Sequence, residues 1–115
     1  MSDPLESYLR TYRKLSGFTQ TEIAYLLQAE SAQTVSRLER GEQVPDLVQA
    51  FSLEVLFGVP LEQLFAGIQR KAKMQTQNRA YLLAKLLADE PESVEKSLKS
   101  QTLQRIYRSA LDEEA

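Results

Sequence analysis

The segment SAQTVSRLERG, residues 31–41, restricts the possible folds of this chain more than any other. Ser31 suits the N-cap of a short helix, and Gly41 suits its C-terminal end. At helical spacing Val35 and Leu38 fall on one side, which therefore requires a core to pack against. The opposite side carries the polar residues Gln33, Ser36, Arg37 and Arg40. These side chains suit the base edges and phosphate oxygens of DNA, although an ordinary surface helix has the same two-sided pattern.

A first helix is predicted ahead of this segment. Asp3 suits an N-cap, Pro4 suits the first helical position, and Glu6 completes a capping box. The helix should end at about Ser16, because Gly17 follows. Its apolar residues at helical spacing are Leu5, Leu9, Tyr12 and Leu15. We expect this apolar side to face the same core.

A second helix should follow after a turn, and the side chain of Phe18 should pack into that turn. Thr19 and Glu22 have the spacing of a capping box, which marks the N-terminus of this helix. Its inward-facing residues are expected to be Ile23, Ala24 and Leu27. Two short helices therefore precede the segment that carries the polar side chains.

Taken in order, these residues resemble the lambda-repressor-like, or Xre-type, helix-turn-helix regulators, a family that includes phage repressors and Cro proteins. The resemblance covers residues 5–67. The matching motifs are Arg13, GFTQ at 17–20, EIA at 22–24, Leu27, VSRLERG at 35–41 and Pro45. The resemblance implies an all-α protein with a five-helix DNA-binding domain over residues 1–67.

The fourth and fifth helices of this domain are also indicated by local signals. Asp46 and Gln49 form a further capping box, and Pro60 suits the start of a short fifth helix. The residues expected to pack are Leu47, Ala50, Phe51 and Leu53 in the fourth helix, and Leu61, Leu64 and Phe65 in the fifth. We expect Phe18, Phe51, Phe57 and Phe65 to belong to the core rather than to a ligand cage.

The turn between the second and third helices departs from the family pattern. Gln28, Ala29 and Glu30 stand where the family usually has a glycine, and the turn is one residue longer. A non-glycine residue in the left-handed conformation is strained, so we expect the extra residue to avoid that geometry. The approach angle of the third helix is left open by this difference.

Residues 68–115 should form a C-terminal extension of two helices. Helix 6 begins with the basic residues Arg70, Lys71 and Lys73, for which solvated side chains are favoured over phosphate contacts. Pro91 separates it from helix 7, and residues 112–114 should fray. The apolar residues of helix 7 are Val94, Leu98, Leu103, Ile106, Tyr107 and Leu111. One hairpin cannot bury this surface, so it should pack on the first domain, on a second subunit or on both, with dimerisation favoured.

The charge distribution limits how this chain can bind nucleic acid. The formal net charge is -2, and residues 1–67 hold five Arg and Lys against nine Asp and Glu. Any affinity for DNA must therefore depend on where the cations lie rather than on their number. The cations of this domain are Arg10, Arg13, Lys14, Arg37 and Arg40.

Composition excludes several kinds of chemistry. The chain has no Cys and no His, so disulfides, thiolate or imidazole metal sites and a histidine base are absent. No apolar run reaches the roughly 20 residues that span a bilayer, and the N-terminus does not resemble a signal peptide. We expect a cytoplasmic protein with no catalytic residues, no metal, no cofactor and no small-molecule ligand.

The resemblance also implies which residues would contact DNA. The base-reading positions of the family correspond to Ala32, Gln33, Ser36 and Arg37, and its phosphate contacts to Gln20, Arg10, Lys14 and Arg40. Arg13 and Glu39 resemble a pair of residues that form a structural ion pair between the first and third helices of family members. Each of these assignments requires the side chain to lie at a particular place in the folded protein.

Three classes of function follow from the sequence. The favoured class is a repressor-like regulator that binds a palindromic site in double-stranded DNA as a homodimer. The second is a protein-interaction module of the same fold that has little DNA affinity, which the acidity of residues 1–67 supports. An enzyme is the weakest of the three, because no nucleophile–base pair, paired carboxylate site or Gly-rich phosphate-binding loop can be assembled from the sequence.

Overall fold

The computed structural model describes residues 7–114, with side chains described for residues 7–110. Over this range the chain is helical, without a strand, so the all-α prediction is confirmed. The helices are α1 (Leu9–Ser16), α2 (Gln20–Leu27), α3 (Ala32–Glu39), α4 (Leu47–Phe57), α5 (Leu61–Leu64), α6 (Ala66–Leu87) and α7 (Val94–Glu114). The chain divides into two compact units, one ending at Lys71 and the other beginning at Ala72.

One apolar core holds the first five helices together. Each of these helices contributes at least one side chain that is completely or almost completely buried, and these are Leu9, Ile23, Val35, Leu38, Leu53 and Leu64. Burying such a side chain contributes about 1.5–3 kcal/mol relative to leaving it in water. Because Val35 and Leu38 both lie in this core, the orientation of α3 is fixed by packing.

α1 begins later than the sequence suggested. The proposed capping box at Asp3, Pro4 and Glu6, and the core position Leu5, lie outside the described residues. Ser7 and Tyr8 are not helical. The N–H of Tyr8 donates to the carbonyl oxygen of Leu64 at 2.8 Å, a bond that ties this residue to α5. Within the described residues, the first helical residue is therefore Leu9.

Three apolar residues that were expected in the core are exposed. Leu15 is 79% exposed, Leu47 is 69% exposed and Phe51 is 52% exposed. Each residue turns an α-helix by about 100°, so Leu15 lies roughly 120° around α1 from the buried Leu9, and Phe51 about 100° around α4 from the buried Ala50. The prediction that all four phenylalanines belong to the core is therefore wrong for Phe51. Leu61 is only half-buried.

The first three helices end in the same way. The residue after the helix or its last turn has a positive φ, and the next N–H donates back to a carbonyl oxygen five residues earlier. The positive-φ residues are Gly17 (φ 80°), Gln28 (φ 56°) and Gly41 (φ 73°). The returning bonds are Phe18 to Arg13 (3.3 Å), Ala29 to Ala24 (2.9 Å) and Glu42 to Arg37 (2.9 Å). The longer turn after α2 therefore adopts the left-handed conformation that it was expected to avoid.

Replacing Gln28 with glycine should raise the free energy of unfolding by about 0.5–1 kcal/mol. The left-handed conformation costs an L-residue about 1–2 kcal/mol, and the greater freedom of glycine in the unfolded chain offsets part of that gain. Urea unfolding of the wild type and the variant measures the difference. Gln28→Ala is the matched control, because alanine keeps the Cβ atom and should give no stabilisation. Equal stabilisation by both substitutions would contradict the assignment of strain to this position.

The second unit contains most of α6 together with α7. Its contacts include an edge-to-face pair between Tyr81 and Tyr107, with ring centroids 5.6 Å apart, and Ala80 and Leu87 are buried. The ammonium of Lys96 donates to the carbonyl oxygens of Ala88 and Glu90 and to the carboxylate of Glu92. Exposed apolar residues of this unit include Leu82, Leu83, Leu86, Val94 and Leu98.

No helix of the described part of the chain is long and apolar enough to cross a membrane.

Candidate nucleic-acid interface

α3 presents one side to the core and the other to solvent. Val35 and Leu38 are fully buried, whereas Gln33 and Arg37 are exposed. Ser31 occupies the N-cap position with an extended backbone, but its hydroxyl makes no capping bond, so that part of the sequence prediction is wrong. The N–H of Thr34 donates to the carbonyl oxygen of Ser31 instead, at 3.1 Å.

A groove of about 620 Å³ runs along α3 and the N-terminus of α2. It is lined by Arg10, Arg13, Phe18, Thr19, Gln20, Thr21, Ala32, Ser36, Glu39 and Arg40. The fold thus brings five of the eight predicted DNA-contacting residues to one concave surface, although they come from three helices. Gln33, Arg37 and Lys14 are exposed but do not line this groove.

Arg13 and Glu39, which both line the groove, form an ion pair. The Nε of Arg13 donates to Oε2 of Glu39, its Nη2 donates to Oε1 at 3.2 Å, and its Nη1 donates to the carbonyl oxygen of Phe18 at 3.1 Å. The side chains are 12% and 3% exposed, respectively. Hydrogen bonding to Glu39 raises the pKa of Arg13. The pair therefore links α1 to the C-terminal end of α3 where little water competes.

Gln20, the first residue of α2, joins this ion pair. Its amide Nε2 donates to Oε1 of Glu39 at 3.0 Å. Sequence reasoning missed this bond, because the two residues are far apart in the chain and no spacing rule connects them. An amide nitrogen carries two N–H donors, so one remains for a ligand in the groove. Glu39 thereby holds both α1 and α2 against α3.

Arg40 is engaged at the C-terminal end of α3. Its Nη2 and Nε donate to Oε2 of Glu42 at 2.7 and 3.0 Å, and its Nη1 donates to the hydroxyl oxygen of Ser36 at 2.5 Å. The two side chains of the ion pair are 54% and 56% exposed. Hydrogen bonding to Arg40 lowers the pKa of Glu42, and the nearby charge of Arg37 acts in the same direction. Glu42 was not identified from the sequence.

The remaining predicted phosphate contacts lie on α1. Arg10 and Lys14 are exposed, and neither forms an ion pair with any residue of the described part of the chain. They stand one helical turn apart, so both project from the same side of α1. These cations are therefore available to an anion that approaches this side of α1.

The groove is lined by groups that are suited to binding a nucleic acid. The groove offers guanidinium, amide and hydroxyl groups, which recognise phosphate oxygens and base edges. Within residues 7–110, no group of three or more acidic side chains is placed so that it could hold a metal ion.

Comparison with known proteins gives two findings. A family model described as helix-turn-helix matches residues 9–64, which span α1 to α5. The chain is 36% identical over 61 residues to an uncharacterised HTH-type transcriptional regulator of Methanocaldococcus jannaschii, and the match covers 53% of this chain and 91% of that protein. No solved structure matches the chain.

Proposed function

This chain belongs to the helix-turn-helix family, and from that membership we propose that it is a sequence-specific, repressor-like transcriptional regulator that binds a palindromic operator as a homodimer. The observation that carries the proposal is the exposed polar side of α3 beside a groove to which α1 and α2 contribute further hydrogen-bond donors. A helix in this position has room to enter the major groove of double-stranded DNA.

The base contacts are proposed for four residues of α3. The exposed Arg37 has the donors to bind O6 and N7 of guanine, and Gln33 matches N6 and N7 of adenine. The hydroxyl oxygen of Ser36 accepts a bond from Arg40, so its O–H remains to donate to a base acceptor. Ala32 offers only its methyl group, which suits thymine.

The phosphate contacts are proposed for residues around the base-reading side chains. The second amide N–H of Gln20 serves one phosphate from the N-terminus of α2, where the helix dipole also favours an anion. Arg10 and Lys14 serve phosphates on the side of α1, and Arg40 serves one at the end of α3. Such contacts fix the register of the protein on the duplex without reading its sequence.

The homodimer is proposed to form through the second unit. Leu83 and Leu98, both exposed, line an apolar groove of about 330 Å³ together with Lys99, Thr102 and Leu103. The two helices of one chain cannot bury this surface between them. Two copies of the helical hairpin can form a four-helix bundle, which buries it. A two-fold dimer then presents its two α3 helices to two half-sites.

Arg37→Ala should weaken operator binding by about 1–3 kcal/mol and relax the preference at one base pair. The operator is first obtained by selecting bound duplexes from a random DNA pool, and affinities are then measured for the operator and its single-base variants. Lys14→Gln is the control, because loss of a phosphate contact should weaken all sequences alike. If Arg37→Ala lowered affinity equally for operator and random DNA, Arg37 would be a phosphate contact.

A protein-interaction module of the same fold is the second candidate. The net charge of residues 1–67, with five basic and nine acidic residues, supports it. The same selection distinguishes the two functions, because an interaction module should enrich no sequence from the pool.

A further inference from the structure

We propose that Glu42 restrains Arg40 in the free protein and thereby lowers the affinity of this surface for the DNA backbone, whatever the sequence. The inference rests on the DNA-binding function proposed above and concerns a residue that the base-reading and phosphate-binding sets do not include. It makes Glu42 a positioning residue that acts through Arg40.

The backbone places the carboxylate of Glu42 at the end of α3. The backbone N–H of Glu42 donates to the carbonyl oxygen of Arg37 at 2.9 Å. Gly41, with φ of 73°, makes the sharp turn that this bond requires. The Glu42 side chain therefore returns toward the last turn of the helix. It lies at the exposed surface, where it holds Arg40 by two hydrogen bonds.

The hydrogen bonds of Arg40 compete directly with a phosphate. A guanidinium has five N–H donors on three nitrogen atoms. Each guanidinium nitrogen of Arg40 donates one hydrogen bond, two of them to Glu42 and one to Ser36. A phosphate that approaches Arg40 must replace the carboxylate or bind beside it, and the second arrangement places two anions close together. A glutamate is ionised at neutral pH, and hydrogen bonding to Arg40 lowers the pKa of Glu42 further, so the competition is present under physiological conditions.

This restraint acts on total affinity rather than on the choice of sequence. Binding to random DNA depends almost entirely on phosphate contacts and counterion release. A weakened contact at Arg40 shortens the time that the protein spends on any duplex, and it leaves the ratio between operator and random DNA unchanged. One acidic residue of this domain, Glu42, thereby acts at a defined position at the end of α3.

The test compares Glu42→Gln with the wild type on two probes, the selected operator duplex and a random-sequence duplex of the same length. Glu42→Gln should tighten binding to both by about three- to tenfold, and the slope of log affinity against log salt should become steeper by up to about one, because the contact between Arg40 and its phosphate no longer forms beside a carboxylate. Glu62→Gln is the matched control, because it removes the same charge from an exposed residue of α5. Equal tightening by the control, or no change with Glu42→Gln, would overturn the proposal.

The same substitution in an Arg40→Gln protein distinguishes restraint of Arg40 from direct repulsion between Glu42 and DNA. In an Arg40→Gln protein, adding Glu42→Gln should change affinity less than twofold, because there is no guanidinium left to release. An effect that persists at full size in this background would show that Glu42 acts by direct repulsion of DNA, and the proposal would be wrong. If the wild type binds neither probe, the DNA-binding function itself fails, which is a different result from unchanged affinity in the variant.

Discussion

The double substitution Leu83→Gln and Leu98→Gln is expected to convert the proposed homodimer into monomers and to weaken operator binding by about 10²–10⁴-fold. Both leucines are exposed and line the same groove of the second unit, so their replacement should not disturb the core around Leu9 and Leu53. A monomer binds one half-site and loses the high effective concentration that the partner gives to the second. Sedimentation velocity and operator titration measure the two effects together.

The chain offers a control of similar chemistry on an exposed apolar face of α4. Val48 and Val55 of α4 are both strongly exposed, and Val48→Gln with Val55→Gln removes apolar surface without changing the charge. The control protein should remain dimeric. If the α4 variant dissociated while the variant at Leu83 and Leu98 stayed dimeric, the interface would lie on α4 and the assignment to the second unit would be incorrect.

Glu39→Ala is expected to lower the free energy of unfolding by about 1–3 kcal/mol. The substitution leaves the guanidinium of Arg13, which is only 12% exposed, without its carboxylate partner. It also removes the acceptor of the Gln20 amide, so α1 and α2 both lose a bond to α3. Urea denaturation monitored by circular dichroism at 222 nm, a wavelength that reports helix content, measures the change.

The exposed pair on the same helix end is the appropriate comparison. Glu42→Ala breaks the ion pair with Arg40, but both side chains are more than half exposed, and solvent screens such pairs strongly. The denaturation midpoint of this control should stay close to that of the wild type. A loss of stability equal to that of Glu39→Ala would mean that burial does not account for the difference between the two pairs.

The features that the sequence predicted best are those set by neighbouring residues. The capping boxes at Thr19 and Asp46 both form, each with its two reciprocal hydrogen bonds. A capping box involves two residues that are three positions apart in the chain, so the sequence alone shows that they lie close together at the start of a helix. The buried positions of α2 and α3 were predicted correctly for a similar reason, because helical periodicity alone assigns them to one side.

The features that could not be predicted depend on distant parts of the chain. The bond from Gln20 to Glu39 forms only because packing brings the start of α2 beside the end of α3. Phe51 was assigned to the core by its hydrophobicity, yet α4 is apolar on several sides, and its periodicity does not identify the buried one. The left-handed conformation of Gln28 is imposed by the hydrogen bonds that end α2, which outweigh its local strain.

The two-sided construction of α3 has a consequence for how such a regulator can acquire new targets. Val35, Leu38 and Glu39 hold the helix in place, while Gln33 and Arg37 project into solvent. Substitutions at the two exposed positions alter the surface that we propose contacts base pairs and leave packing untouched, so they carry little risk of unfolding. A library randomised at these two positions should therefore consist mainly of folded proteins, which makes this helix a practical starting point for regulators directed at chosen operators.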